Sequence, residues 1–294
     1  MKQLTIKKEI KGVGIGLHKG EPVRFSMHPL DANSGILFYR TDTGTYIEAT
    51  PENVVDTQMA TVIGKEGSSI STIEHMLSAI YAFGIDNLLI KIDASEVPVM
   101  DGSSTSFCMM LNETGIQELS GNKKVMILNK EVEVRDGDKF VKLTPSDTQV
   151  YHFQINFTHP AIGFQEYQLE FSKQKYIDAI SRARTFGFLK DVQMLRSHNL
   201  ALGASLENAI VLDSNKIINN DGLRYNNEFV RHKILDAIGD LKLLGMPYIG
   251  SYSSFAGSHH LNHLLTKEIL KDPENYSIEE AAGAFTDNLA KVYA

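Results

Sequence analysis

Between residues 228 and 241, in "EFVRHKILDAIGDL", apolar positions recur at helical spacing. At 100° per residue, Val230, Ile234, Ala237, Ile238 and Leu241 fall in one arc and predict the buried face of a helix. His232, Asp236 and Asp240 line up on the opposite side, four apart, among Phe229, Lys233 and Gly239. A Phe and a Gly suit poorly a face that meets only water, so this side is expected to touch something. "STIEHMLSAIYAFG" predicts a second helix, with Ile73, Met76, Leu77, Ile80 and Phe83 as its stripe and Glu74, His75, Ser78 and Ala82 around the other side.

Other segments alternate with a period of two. "EPVRFSMHP" and "GILFYRT" read as strands, "NLLIKIDA" as a buried strand, and "DGSSTSFCMMLNETG" as a capped helix that closes a first half near Gly121. After "SGNKK" the order recurs in outline. "KEVEVRDGDKFVKLTP" and "VYHFQINFT" give strands, the helix at 228–241 follows, then a strand "YIGSYSSFA" and a helix "HHLNHLLTKEILK". The pattern predicts an α+β fold from a duplicated unit: residues 1–121, residues 122–270 with an insertion at about 183–222, and a helical tail over 271–294.

Composition narrows the function. The 294 residues are 43% hydrophobic and 22% charged, as in an ordinary soluble globular protein. A net charge of -7 argues against broad nucleic-acid binding, which needs a basic surface. "MKQLTIKKEI" has no apolar signal core, and no run approaches the roughly 18 apolar residues of a membrane span. A cytoplasmic protein without a transmembrane segment is expected, working as a monomer. Cys108 is the single cysteine, so any metal must be held by His, Asp or Glu.

Several residues have both a plain and a chemical reading. His232 and Asp236 form either a solvated ion pair worth a few tenths of a kcal/mol or two ligands of a metal, with His75, among the small residues Ser78, Ala79 and Ala82, as the best third. Glu74 completes an S-x-x-E capping box with Ser71, or serves as a general base beside a metal. His259, His260 and His263 make a polar helix start, or supply a cationic imidazole that stabilises an oxyanion or protonates a leaving amine. Asp240 holding that imidazole would account for the row of three.

In order, "GVGIGLHKGEPV", "STIEHMLSAIYAFGIDN", "VPVMDGSS", "FTHP", "ARTFGF", "DGLRYNNEFVRHKILDAIGDL" and "GSHHLN" resemble the zinc-dependent UDP-3-O-acyl-N-acetylglucosamine deacetylases of lipid A synthesis, over nearly all of residues 1 to 270. The resemblance implies two similar βαα-type sandwich domains with the active site between them. It implies Zn2+ held by His75, His232 and Asp236, with Glu74 as general base. It assigns Thr185 to the reacting acetyl group, Lys233 and Phe157 to the sugar-nucleotide, His259 to the catalytic histidine and Asp240 to its orienting carboxylate. Ser258 stands where the family pattern has Gly, and His260 follows His259 directly.

The implied substrate is an acylated UDP-N-acetylglucosamine, which loses acetate. Its hydroxyacyl chain needs an apolar passage, for which Phe186, Phe188, Val192, Met194 and Leu195 are candidates, against ordinary core packing. Two rival readings remain: a metal hydrolase of another amide, and a non-catalytic α+β binding module whose histidines are structural.

Overall fold

The alternation in "IKGVGI" and "PVRFSMHP" becomes a hairpin, Ile10–Ile15 against Pro22–Pro29, with Val23, Phe25 and Met27 buried and Arg24 exposed. This hairpin opens the first of two five-stranded sheets in the computed structural model, which describes residues 1–281 and 292–293. The sheet runs Ile10–Ile15, Pro22–Pro29, Leu88–Ile92, Ile36–Arg40, Thr45–Glu48; its central strand is antiparallel to Pro22–Pro29 and parallel to Ile36–Arg40. A second sheet repeats that order and those senses with Val132–Asp136, Lys139–Thr144, Ser251–Phe255, Val150–Asn156 and Phe164–Glu170. The fold is α+β.

The α-helices that position the site and its surroundings are α1 (Glu74–Ala82), α2 (Thr105–Thr114), α3 (Lys173–Ala179), α4 (Leu189–Ser197), α5 (Glu228–Leu241) and α6 (His259–Lys271). The last α-helix before the central strand and the first after it are α1 and α2 in the first half, α5 and α6 in the second. Every residue of α1 is buried, and all of α5 except Arg231 and Lys233. The two helices lie against each other, which answers why the face of α5 opposite its apolar stripe carries Gly239, while Phe229 on that face packs against Phe186. A Cβ on Gly239 would fall 2.0 Å from the Glu74 carbonyl oxygen, so only glycine lets the backbones approach this closely. Phe229 is fully buried, a contribution of about 1.5–3 kcal/mol for a side chain of this kind.

The predicted insertion contains a short parallel pair, Phe186–Phe188 with Ile210–Leu212, and α4, which buries none of its residues. The expected helical tail is corrected in part. Tyr276–Glu280 is a strand, antiparallel to Lys124–Leu128, because its backbone completes that strand's free edge. The rest of that expectation falls largely on residues outside those described. No helix among the described residues is long and apolar enough to cross a membrane.

Candidate functional site

Where α1 meets α5, three buried donors converge. One ligand atom from each of His75, His232 and Asp236 lies within 4.8 Å of the others. Asp236 Oδ1 is 3.5 Å from His75 Nε2 and 3.3 Å from His232 Nε2. Two donors about 2.1 Å from one tetrahedral ion stand about 3.4 Å apart, so both spacings suit a shared metal. The hydrogen bonding agrees. His232 Nδ1–H donates to the Ala183 carbonyl at 3.0 Å, which leaves the Nε2 lone pair turned inward. Lys233 Nζ occupies Asp236 Oδ2 at 3.0 Å, whereas buried Oδ1 has no hydrogen-bond partner among the described residues. An orphaned carboxylate oxygen facing two imidazole nitrogens is what an ion would satisfy.

Charge is arranged to match. Burial pushes His232 down to about 3, against the pull of Asp236, so its ring is neutral and able to ligate at pH 7. Burial alone would raise Asp236, but the groups facing it, with Lys233 as the cation on Oδ2, hold it well below the usual carboxylate range.

Glu74 opens α1, and its surroundings overturn the capping box. Ile73, not Ser71, is the cap residue, and it makes no side-chain cap bond. Thr72 adopts φ +58°, an uncommon conformation for a β-branched residue, and its hydroxyl donates to Glu96 Oε1 at 3.2 Å. Ser71 turns to the Ser95 carbonyl. The same buried Glu96 accepts the backbone N–H groups of His18 and Lys19, which gives "GVGIGLHKGE" a role in bracing the start of α1. Glu74 is therefore free to face inward, where Oε2 accepts the Thr61 backbone N–H at 3.2 Å. Burial lifts its carboxyl above the ordinary range, with His259 and His75 partly opposing.

Across from Glu74 stands His259, with Nε2 4.0 Å from Glu74 Oε1 and Nδ1 donating to Asp240 Oδ2 at 2.9 Å. Burial would lower this imidazole, but the Asp240 and Glu74 carboxylates outweigh it and lift it to about 9. The hydroxyl of Ser258 caps α6 by accepting from Leu261 N, and this aims the first helical residue, His259, into the site. His260 is exposed and meets the Thr57 hydroxyl at 3.2 Å.

The remaining predicted residues line one side. Buried Arg184 forks onto Glu228 at the start of α5, with Nε 2.9 Å from Oε1, and holds "ARTFGF" beside His232. Thr185 is half-buried there, fixed by backbone bonds to Gly102 and Ile210. Phe186 packs edge-on against Phe229 with ring centroids 5.0 Å apart and against Phe157 at 5.9 Å, and Lys233 Nζ lies 5.6 Å from its ring. Phe157 is thus one ring further from the ligand cluster. Of the apolar stretch, Phe186 and Phe188 pack against the core and Val192 and Leu195 are half-buried, whereas Met194 on α4, with Leu189 beside it, is about half exposed.

Sequence reading missed Thr61, Asn262 and Glu96. A single hydroxyl, amide or carboxylate outside a helical row gives no periodic signal, and only the fold shows what each touches.

The family model for UDP-3-O-acyl N-acetylglycosamine deacetylase (LpxC) matches residues 3–271. Curated relatives named UDP-3-O-acyl-N-acetylglucosamine deacetylase include one from Campylobacter lari, 60% identical over 294 residues and covering 100% of both chains. Another, from Nitratiruptor sp., is 62% identical over 282 residues, 96% of this chain and 95% of its own. With its motifs in the same order as the family's and a match along almost its whole length, the chain belongs to the UDP-3-O-acyl N-acetylglycosamine deacetylase family.

Proposed function

We propose that this protein hydrolyses the N-acetyl group of UDP-3-O-(3-hydroxyacyl)-N-acetylglucosamine in lipid A biosynthesis, releasing acetate and a free amine. The ion is zinc, held by His75, His232 and Asp236 between two domains, residues 1–121 and 122–270. The observation that carries the reading is the grouping of two imidazoles and a carboxylate able to hold one metal with two further titratable groups, Glu74 and His259, that face each other at 4.0 Å. Bound zinc supplies Lewis-acid polarisation and makes water a nucleophile near neutral pH.

The side chains do the rest. Glu74, raised in basicity by burial, takes the proton of the attacking water. His259, cationic with its Nδ1–H on Asp240, donates from Nε2 to the oxyanion that develops on the acetyl carbonyl and then protonates the nitrogen as the C–N bond breaks. Thr185 steadies the acetyl group. Lys233 and Phe157 meet the sugar-nucleotide, and Phe186 with the exposed apolar side chains of α4 lines the way for the hydroxyacyl chain. A UDP-linked substrate puts the reaction in the cytoplasm.

The test combines metal stoichiometry of the purified protein with acetate release. One zinc per chain and turnover of the acylated UDP-sugar, with little on simple N-acetyl sugars, is expected. Turnover of simple N-acetyl sugars alone would mean a different amide substrate, and a metal-free, inactive protein would mean a binding module.

A further inference from the structure

We infer that Thr61 is a positioning residue that holds the two proton carriers at their working separation from a single residue. The inference rests on the deacetylase reading above. Thr61 is 1% exposed and heads the strand Val62–Lys65, delivered there by a turn in which Met59 adopts φ +68°. Its backbone N–H donates to Glu74 Oε2 at 3.2 Å, and its hydroxyl donates to Asp240 Oδ1 at 2.6 Å. Among the described residues no other bonds to both carboxylates.

The direction of the hydroxyl bond is fixed, because an ionised carboxylate only accepts. The other oxygen of Asp240 accepts from His259 Nδ1 at 2.9 Å and from Asn262 Nδ2 at 2.8 Å. Tyr252 donates to Asn262 Oδ1 at 2.7 Å, which forces the amide to present its NH2 to Asp240. Without the Thr61 hydroxyl, both remaining donors pull on one oxygen, and nothing holds the other against rotation of the carboxylate. Any such rotation carries the His259 ring with it, because that ring is tied through Nδ1. The gap of 4.0 Å between His259 Nε2 and Glu74 Oε1 exceeds a hydrogen bond, so acid and base stay apart without exchanging a proton. Thr61 sets that gap through two direct bonds, one to the base and one to the carboxylate behind the acid.

Thr61→Val removes the hydroxyl at nearly constant shape, and Thr61→Ser restores it. Thr61→Val is expected to lower kcat by about 10- to 100-fold, the usual scale for a residue that orients catalytic groups, with KM and metal stoichiometry unchanged. Thr61→Ser is expected to recover most of the rate. A second readout needs neither metal nor turnover: the downfield His259 Nδ1–H proton resonance of the metal-free protein, identified by its loss in His259→Ala, should shift or broaden in Thr61→Val and persist in Thr61→Ser. Should Thr61→Val not fold, Thr61→Ala, which leaves space rather than a methyl against Asp240, carries the same comparison. A Val or Ala variant with wild-type kcat, or equal losses in Val and Ser with an unmoved resonance, overturns the inference. If the wild-type protein itself released no acetate, the deacetylase reading would fail, while the resonance would still decide the role of Thr61.

Discussion

Gly239→Ala tests whether the close meeting of α1 and α5 is what builds the site. In an isolated helix this change would gain about 1 kcal/mol, because Gly is a poor helix former. Here the new methyl carbon falls 2.0 Å from the Glu74 carbonyl oxygen, 2.7 Å from its carbonyl carbon and 2.9 Å from its Cα. All three are backbone atoms of α1, so no change of rotamer relieves the contact. Ordinary contact begins at 3.4 Å, and the helices must part by about 1.4 Å to reach it. Overpacking of this kind costs about 1–3 kcal/mol, which outweighs the propensity gain and leaves a net loss of up to about 2 kcal/mol. The effect on rate should be larger than the effect on stability. Glu74 and His75 ride on α1, whereas His232, Asp236 and Asp240 ride on α5. A shift of about 1 Å in a reacting group costs on the order of 10²-fold. Metal should bind more weakly but still bind, because the His232–Asp236 pair lies within α5 and only His75 moves away. The assays are kcat/KM on the acylated UDP-sugar, a metal-competition titration and a thermal melt. A variant with wild-type rate and metal affinity would show that the missing Cβ at 239 has no part in the geometry.

His75→Ala, His232→Ala and Asp236→Ala are each expected to weaken metal binding and abolish turnover, and full metal content with normal rate in any of them would remove that residue from the ligand set. Glu74→Gln should keep the Thr61 N–H bond through its amide oxygen, so stability holds while kcat falls about 10²- to 10⁴-fold; a wild-type rate would send the water's proton elsewhere, with His259 the first place to look. His259→Ala should lower kcat by roughly 10²-fold with metal retained, and His260→Ala far less; the opposite ranking would move the role to His260. Because His259 is raised from 6.5 to about 9, its stabilising contribution to the metal-free protein is complete below pH 6.5 and lost as pH rises through about 9, so wild-type Tm should fall across that window more than that of His259→Ala. Lys233→Ala should mainly raise KM, since its side chain is 25% exposed beside Phe186 and reaches solvent from the site; a collapsed kcat at unchanged KM would contradict this.

What the sequence made legible follows from periodicity. The row of His232, Asp236 and Asp240 was readable because a helix repeats every 3.6 residues, and each of the three does face inward. The capping box at Ser71–Glu74 was also a sound local reading, and it failed for a non-local reason. Glu96, remote in sequence, captures Thr72 and the loop at His18 and Lys19, and this turns Ser71 away from the helix end. Thr61 lay beyond reach because its two partners belong to different helices. The tail misled because Tyr276–Glu280 has no strong pattern of its own; its strand form comes from the edge of Lys124–Leu128 that it covers. The apolar residues of α4 could not be told from core until their exposure was seen.

The matching sheets explain why ligands so distant in sequence arrive together. Each half places a helix ahead of its central strand, and those helices, α1 and α5, meet backbone to backbone at Gly239 and Glu74. A histidine on the contacting face of each therefore meets its counterpart, with the rings of His75 and His232 5.0 Å apart and nearly perpendicular. Neither helix alone brings all three candidate ligands: α1 brings His75 with the proposed base Glu74, and α5 brings His232 and Asp236 with Asp240 one turn on. The proposed acid, His259, comes from a third element, α6, which follows the central strand of the second half. In the first half the same place is taken by α2, where Phe107 packs edge-on against Phe25 with ring centroids 6.0 Å apart and adds to the core instead. The two halves thus share an order of elements but divide the work. Of the two histidines that open α6, His259 turns toward Glu74 and Asp240, which gives the proposed acid and base their facing arrangement.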